Sequence, residues 1–83
     1  MNYLLFTTTQ CPKCPAFKEF VQKFIKFPGK IINETDASFR SLALEFAVSS
    51  VPTLLVFEDE SQEQAVLRTS EPADVYSFLN HTA

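Results

Sequence analysis

The sequence predicts an α/β fold in which a four-stranded mixed sheet is flanked by three helices. Short apolar runs of strand length alternate with segments whose apolar residues recur at helical spacing, in the order strand, helix, strand, helix, strand, strand, helix. The first three elements form a βαβ unit, which requires parallel strands and a right-handed crossover. The last three form a hairpin followed by a helix. The 83 residues suit one small domain, which we expect to span residues 1–83.

The chain begins with a strand and an amphipathic helix. Residues 3–7 (YLLFT) form a short apolar run bounded by polar residues, which is typical of a buried strand. In the segment 16–27 (AFKEFVQKFIKF) the apolar residues share one helix face, and Pro28 and Gly29 end the helix. We expect this face to pack into the core; its residues are Phe17, Phe20, Val21, Phe24 and Ile25.

The middle of the chain repeats this alternation. Residues 30–33 (KIIN) predict a second strand, and Asp36 or Ser38 can cap the helix that follows. That helix carries apolar residues at helical spacing, namely Phe39, Leu42, Ala43 and Phe46. The unbroken apolar run at 53–58 (TLLVFE) predicts a third strand covered on both faces, and therefore a central position in the sheet.

The last third of the chain predicts a hairpin and a helix. Residues 63–68 (EQAVLR) return as the partner of the third strand and form an edge of the sheet. Ser70 and Pro72 then open the final helix, because proline is favoured at a first helical position. Its apolar residues are Val75, Phe78 and Leu79.

Composition excludes several classes of function. The net charge of −3 leaves no basic footprint for nucleic acid, and the single glycine excludes a glycine-rich phosphate cradle. No apolar run approaches the roughly 18 residues of a membrane span. The first ten residues lack a basic segment followed by a long apolar one, so they do not predict a signal peptide. We therefore expect a cytoplasmic protein with no nucleic-acid or membrane partner.

The charged residues are segregated along the sequence. Lysines follow the two cysteines closely (Lys13, Lys18, Lys23, Lys26 and Lys30), and acids crowd the last third (Glu58, Asp59, Glu60, Glu63, Glu71 and Asp74). One explanation of this pattern is that the lysines and the acids form two separate faces that are simply exposed to solvent. A positive surface around the cysteines that selects acidic partners would also explain it.

The two cysteines, Cys11 and Cys14, have the spacing of a redox pair. If Cys11 is the N-cap of the first helix, Pro12 takes the first helical position, and the unpaired N–H groups of the helix end stabilise a thiolate. The charge of Lys13 also lowers the pKa of a neighbouring cysteine, and the thiolate is the nucleophile. We expect Cys14 to be more buried, so that Cys11 attacks and Cys14 resolves.

Pro15 is the unusual neighbour of this pair. It would occupy the fourth helical position, where its missing N–H removes a bond to the cap carbonyl. Proline also biases Cys14 away from helical angles. We expect an irregular first turn that influences the redox potential of the pair.

Two other roles for the cysteines remain open. A structural staple would close only a tiny loop between Cys11 and Cys14, with little effect on the entropy of the unfolded chain. A zinc site wants about four ligands, and the only histidine is His81, close to the end of the sequence. Zinc or an iron–sulfur cluster would therefore need a second chain, and we expect no metal in the single chain.

A strand, then CPKC at the start of a helix, then Val51-Pro52-Thr53 before another strand resembles the thioredoxin superfamily over nearly the whole chain. The resemblance implies a cis Val51–Pro52 peptide bond that faces the cysteines. It also implies that the backbone of Val51 pairs with the substrate as a short strand, with Pro52 and Thr53 beside it. Arg68 stands where thioredoxins have a glycine at the rim of the binding groove, so it is a candidate substrate-binding residue.

The two halves resemble different branches of the superfamily. The short first half resembles glutaredoxins, whereas FAVSSVPTLLVFEDE resembles thioredoxins. The glutaredoxin Gly-Gly pair that helps to hold glutathione is replaced by Ser70 and Glu71, although Asp74 matches the aspartate beside the glutathione amino group. Leu5 and Gln10 replace the buried acid and the tryptophan of thioredoxins.

The resemblance implies a monomeric thiol–disulfide oxidoreductase that reduces disulfide-containing protein substrates through Cys11 and Cys14. No bound cofactor is needed beyond this redox-active disulfide. A thioredoxin-reductase-like electron donor is favoured over glutathione. The alternatives are a glutathione-dependent glutaredoxin, a module that bridges a metal or cluster between two chains, and a periplasmic or extracellular oxidant whose targeting segment is absent from the sequence.

Overall fold

The computed structural model describes residues 1–59, 61 and 64–82, with only the main chain at residues 81 and 82. Four strands and three helices follow in the predicted order: β1 (Asn2–Thr7), α1 (Cys14–Phe24), β2 (Gly29–Asn33), α2 (Phe39–Glu45), β3 (Thr53–Phe57), β4 (Ala65–Thr69) and α3 (Pro72–Thr82). The predicted α/β fold class is therefore confirmed.

The four strands form one mixed sheet with the order β2-β1-β3-β4. β1 and β2 are parallel, as the βαβ unit requires, whereas β3 pairs antiparallel with both β1 and β4. β3 is central and buried along its whole length, and β4 is an edge strand, as predicted. The hairpin partner β4 begins at Ala65. Residue 63, its predicted start, and residue 62 lie outside the described part of the chain.

Helices cover both faces of the sheet. Tyr3, Leu5, Leu54 and Val56 point to one face, where Phe17 and Val21 of α1 and Val75 of α3 belong to the same core cluster. Leu4, Phe6, Leu55 and Phe57 point to the other face, where the half-buried residues of α2 pack on them. Those residues are Phe39, Leu42 and Ala43, and Phe46 packs there directly after the helix. The alternation of side chains along each central strand divides the core in this way.

Phe24 departs from the predicted core stripe of α1. Phe17, Val21 and Ile25 are buried, but Phe24 is 41% exposed. Its ring packs against Phe20, with ring centroids 4.6 Å apart, and the ammonium of Lys23 lies 5.7 Å from its centroid. The buried stripe of α1 is narrower than its apolar stripe, so the last aromatic residue lies at the rim of the core.

The single glycine is required by a close contact across two strands. Gly29 pairs with Tyr3 in the parallel register of β1 and β2. A Cβ atom at position 29 would collide with the ring of Tyr3. The tyrosine ring therefore fills the space that the side chain of a larger residue at position 29 would occupy. The same ring makes an edge contact with Phe27, with ring centroids 6.2 Å apart.

Among the described residues, no helix has the length and apolar character that crossing a bilayer requires. The longest helices, α1 and α3, have 11 residues each.

Candidate functional site

The topology brings the cysteine segment and the Val51–Pro52 bond to one end of the sheet. β1 leads into the cysteine loop at Thr7, and the register pairs Phe6 with Thr53, the first residue of β3. The register of β3 and β4 pairs Leu54 with Thr69, so β4 ends and α3 begins at this same end. The sheet therefore presents these three loops at one end, together with the loop that follows β2, which is parallel to β1.

Cys11 and Cys14 form a disulfide, with their Cα atoms 5.4 Å apart. A tight turn holds them: the N–H of Cys11 donates to the carbonyl of Thr8 at 3.3 Å, and the N–H of Cys14 donates to the carbonyl of Cys11 at 3.4 Å. Cys14 is only 3% exposed, whereas Cys11 is half-buried. The expected difference in burial is confirmed, and Cys11 is the sulfur that a large substrate can reach.

The prediction that Cys11 is the N-cap of α1 is wrong. The N-cap is Lys13, Cys14 is the first helical residue, and Pro12 lies in the preceding turn. The first helical bond runs from the N–H of Phe17 to the carbonyl of Lys13, at 3.2 Å. The carbonyl of Cys11 is instead satisfied by the N–H of Cys14, since Pro15 has no N–H to offer it.

This later start also changes the position of Pro15. It is the second residue of the helix and not the fourth, so its missing N–H falls among those that have no intrahelical partner. The irregularity expected within the helix lies before it, in the turn from Cys11 to Cys14. The positive end of α1 is still beside the disulfide, because Cys14 is its first residue.

The Val51–Pro52 peptide bond is cis, as the resemblance implied. Pro52 and Thr53 are buried, and Val51 is half-buried against the core on the α2 side of the sheet. The hydroxyl of Thr53 donates to the carbonyl of Ser50 at 2.7 Å and fixes the end of the loop that enters β3. Thr53 is therefore a support of this loop.

Arg68 lies at the rim of this end of the sheet, but its guanidinium is occupied by the protein itself. Arg68 pairs with Leu55 and so projects on the α2 side of the sheet. Its Nη1 donates to the carbonyl of Ala47 at 3.3 Å, and its Nη2 donates to the carbonyl of Phe46. The residue predicted to contact the substrate thus makes a structural contact at the end of α2.

A polar cavity of about 360 Å³ lies beside the Pro52 loop, lined by Ser49, Ser50, Thr53, Arg68, Thr69, Ser70, Glu71 and Asp74. The hydroxyl of Thr69 donates to Oδ2 of Asp74 at 2.6 Å and accepts a bond from the N–H of Glu71 at 2.9 Å. These bonds order the entry to α3. Asp74, for which the sequence predicted a match to the glutaredoxin aspartate, therefore lies in a cavity next to the cis proline.

The carboxylate of Glu34, in the loop that follows β2, supports the loop before Cys11. Oε1 of Glu34 accepts a hydrogen bond from the N–H of Thr9 at 2.7 Å. This bond lowers the pKa of the Glu34 carboxyl below its ordinary value, because it favours the charged form. The segment from Thr8 to Cys11 is thus held from the side of β2 as well as by β1.

The segregation of charge along the sequence is not kept in space. Lys13 and Lys18 lie on the turn before α1 and early in α1, near the disulfide. Lys23 and Lys26 lie at the other end of α1, and Lys30 lies near the start of β2, which is also the far end of the sheet. A positive surface around the cysteines is therefore limited to Lys13 and Lys18.

The acidic residues divide in the same way. Glu58 and Asp59 follow β3 at the end of the sheet remote from the cysteines, whereas Glu71 and Asp74 line the cavity at the cysteine end. Glu60 and Glu63 lie outside the described residues. Among the side chains that the structure describes, no three His, Cys, Asp or Glu residues lie close enough together to hold a metal ion.

Solved structures with the same architecture decide the fold. Thioredoxin 1 from the thermophilic eubacterium Thermosipho africanus superposes with a TM-score of 0.64 at 15% sequence identity, over 99% of this chain and 98% of the other. The chain has the thioredoxin fold. A second structure, described as that of a malarial protein, superposes with a TM-score of 0.65 at 17% identity, over 96% of this chain and 93% of the other.

The thioredoxin fold is recognised here from structure and from a few residues. No protein-family model matches the sequence, and no curated protein matches it. At 15% and 17% identity the two solved structures establish the fold alone. The cysteine pair and the cis proline occur at the end of the sheet where the resemblance placed them.

Three supporting contacts of the site were not predicted from the sequence, although Arg68 and Asp74 were named there as candidates for other roles. Glu34 and Arg68 act through contacts 25 and 21 or 22 residues distant in sequence, which no local pattern encodes. The turn from Thr69 to Asp74 does carry a local signal, since a hydroxyl residue and an acid flank the start of a helix.

Proposed function

We propose that this chain is a thiol–disulfide oxidoreductase that reduces disulfides of protein substrates. The observation that carries the proposal is the disulfide between half-buried Cys11 and buried Cys14 at the N-terminus of a helix, at the same end of the sheet as a cis proline. A helix N-terminus favours the thiolate, and unequal exposure assigns the two sulfurs different roles.

The reaction begins from the reduced protein. The Cys11 thiolate attacks one sulfur of the substrate disulfide, the substrate S–S bond breaks, and the leaving sulfur takes up a proton. A mixed disulfide now joins Cys11 to the substrate. Cys14 loses its proton and attacks Sγ of Cys11, which releases the second substrate sulfur as a thiol. Two electrons have passed to the substrate, and the Cys11–Cys14 disulfide remains.

The loop before β3 positions the substrate in this proposal. The backbone of Val51 pairs with the extended substrate chain as a short strand, and the buried Pro52 and Thr53 keep Val51 in place. Lys13, the exposed N-cap of α1, adds positive charge beside the thiolate. No bound cofactor enters the exchange; a thioredoxin-reductase-like protein supplies two electrons to restore the dithiol.

A trapping experiment tests this assignment of the two sulfurs. Cys14→Ser should accumulate a mixed disulfide with a protein substrate, visible on a non-reducing gel and removed by dithiothreitol. Cys11→Ser is the matched control, since it keeps one cysteine of the pair but should form no adduct and reduce no substrate. An adduct that forms with Cys11→Ser and not with Cys14→Ser would reverse the roles, and the absence of any adduct would count against the mechanism.

A glutathione-dependent glutaredoxin is the second candidate, because Asp74 lines the cavity beside Pro52. Comparison of turnover with glutathione and with a thioredoxin reductase separates the two. We expect the reductase to support turnover and glutathione to support little, given Ser70 and Glu71 in place of the Gly-Gly pair. A glutathione-driven rate that exceeds the reductase-driven rate and falls in Asp74→Asn would favour this candidate instead.

A further inference from the structure

The loop that contains the cis proline follows α2, a helix that has few stabilising interactions of its own. α2 has seven residues, all described by the structure, and none of them is fully buried. The side chain of its N-cap, Ser38, makes no capping bond, and its last turn contains no basic residue. A short helix with these features depends on contacts from outside itself.

The end of α2 is closed by a turn of two backbone bonds. The N–H of Val48 donates to the carbonyl of Ala43 at 2.8 Å, and the N–H of Ala47 donates to the carbonyl of Leu44 at 3.3 Å. This Schellman arrangement places Ala47 in the left-handed region, with a φ of 54°. The Cβ atom of Ala47 makes this conformation unfavourable compared with glycine, so the turn carries a conformational energy cost.

Arg68, in strand β4, binds the end of α2 through its side chain. Its two terminal nitrogens donate to the consecutive carbonyls of Phe46 and Ala47, which directly follow the helix. A guanidinium presents its donors in a planar fork that fits two neighbouring acceptors, and a positive charge at a helix C-terminus is favoured by the helix dipole. β4 and the end of α2 are thereby joined.

The anchored carbonyls are close in sequence to the proposed substrate-binding backbone. Only Val48, Ser49 and Ser50 separate Ala47 from Val51. The other end of this loop is fixed by the bond from the Thr53 hydroxyl to the carbonyl of Ser50. The loop is therefore held on both sides, and on the α2 side Arg68 adds a contact from β4 to the backbone bonds and apolar packing already there.

We propose that Arg68 is a positioning residue that holds the loop from Ala47 to Pro52 in its substrate-binding conformation through the carbonyls of Phe46 and Ala47. It acts on substrate affinity through Val51, and not by direct contact with the substrate. This inference rests on the proposed function, because it assigns Val51 to substrate binding.

The kinetic test compares variants on two disulfide-bonded peptides, one with uncharged residues and one with aspartates flanking the cysteine. Arg68→Ala should raise KM about five- to tenfold for both peptides and leave kcat within about twofold, because a charged hydrogen bond to the loop is lost while the cysteines are unchanged. Arg68→Lys should recover little, since an ammonium cannot span two carbonyls as a fork does. Arg40→Ala, an exposed arginine of α2, is the matched control and should leave KM unchanged.

Two results would overturn the inference. An unchanged KM in Arg68→Ala would show that the anchor does not matter to binding. A rise in KM confined to the aspartate peptide and restored by Arg68→Lys would show that Arg68 contacts the substrate directly through its charge.

A second readout does not depend on activity. Amide hydrogen exchange at Ala47 and Val48 should accelerate in Arg68→Ala, with the amides of β1 and β3 unchanged. If the parent protein reduces neither peptide, the proposed function fails, and exchange still tests the anchor. Unchanged exchange at Ala47 and Val48 would reject the positioning role; if Arg68→Ala does not fold, the same measurement is made on Arg68→Lys.

Discussion

The carboxylate of Glu34 accepts a hydrogen bond of 2.7 Å from the backbone N–H of Thr9, two residues before Cys11. The loop between β2 and α2 thereby supports the loop that contains the cysteine pair. The hydrogen bond is strongest when the carboxylate is charged. It therefore lowers the pKa of Glu34 from its ordinary value of 4.5.

Stability should therefore depend on Glu34 in acid. A pKa that is lower in the folded state than in the unfolded state contributes stability above pH 4.5, and this stability is lost as the pH falls through the lower folded value. The melting temperature of Glu34→Gln should be slightly below that of the parent at pH 7, and the two should converge below pH 4.5. The effect should be small, since the group is exposed.

Asp59 is a second exposed carboxylate whose charge should support stability in the same way as that of Glu34. Its pKa is also lowered, by hydrogen bonds from the side chain and then the backbone of Ser61, but it lies at the remote end of the sheet. Asp59→Asn should alter acid stability in the same direction and leave the thiol chemistry unchanged. A difference between Glu34→Gln and the parent that stays constant from pH 7 to pH 3 would contradict the role of the Glu34 charge.

Ala47→Gly should stabilise the protein. Ala47 has a φ of 54°, where a Cβ atom costs roughly 1–2 kcal/mol. Glycine removes this cost, but its greater chain entropy in the unfolded state offsets part of the gain. We expect a net gain of about 0.5–1 kcal/mol in the free energy of unfolding, measured by urea denaturation. Ser49→Gly, two residues on in the same exposed loop, is the control and should give no gain; a loss of stability in Ala47→Gly would contradict the strain at this position.

Gly29→Ala should destabilise the protein. The added Cβ atom would meet the ring of Tyr3, which also packs against Phe27, so the ring must move. Overpacking of this kind costs about 1–3 kcal/mol, which urea denaturation can resolve. Lys30→Ala changes the next residue of the same strand at an exposed position and should cost much less; equal stability of Gly29→Ala and the parent would show that the ring has room to shift.

Lys13→Glu should slow the alkylation of Cys11 in the reduced protein. Replacing a positive charge by a negative one next to the thiolate should raise the pKa of Cys11, and the effect should be modest because Lys13 is exposed. The pH dependence of iodoacetamide alkylation measures it. Lys30→Glu makes the same change in net charge at the far end of the sheet and should have no effect. Equal shifts in both variants would attribute the effect to net charge alone.

Local pattern was enough to predict most of this fold. Apolar runs and helical periodicity located all seven elements, and the unbroken run at 53–58 correctly predicted a central strand. The start of α1 was predicted two residues too early, with the N-cap at Cys11 instead of Lys13. Pro12 and Pro15 both suit the beginning of a helix, and only the competition for the carbonyl of Cys11 decides between them.

The site was predictable where chemistry is local and not where it depends on distant contacts. The spacing of Cys11 and Cys14 and the motif around Pro52 mark the positions that the sheet brings to one end. The bonds of Arg68 to the end of α2 join residues 21 and 22 positions apart, and they exist only after the strands have paired. The lysines were misleading for the same reason, since neighbours in sequence lie at opposite ends of α1.

The midpoint reduction potential of the Cys11–Cys14 couple tests the proposed function most directly. It can be measured by equilibrating the protein with dithiothreitol at defined ratios and counting free thiols by mass after alkylation. A protein that reduces substrate disulfides should titrate as a reversible two-electron couple near the roughly −270 mV of a reductant. A couple near about −120 mV, or a disulfide that cannot be reversibly reduced, would contradict the proposal.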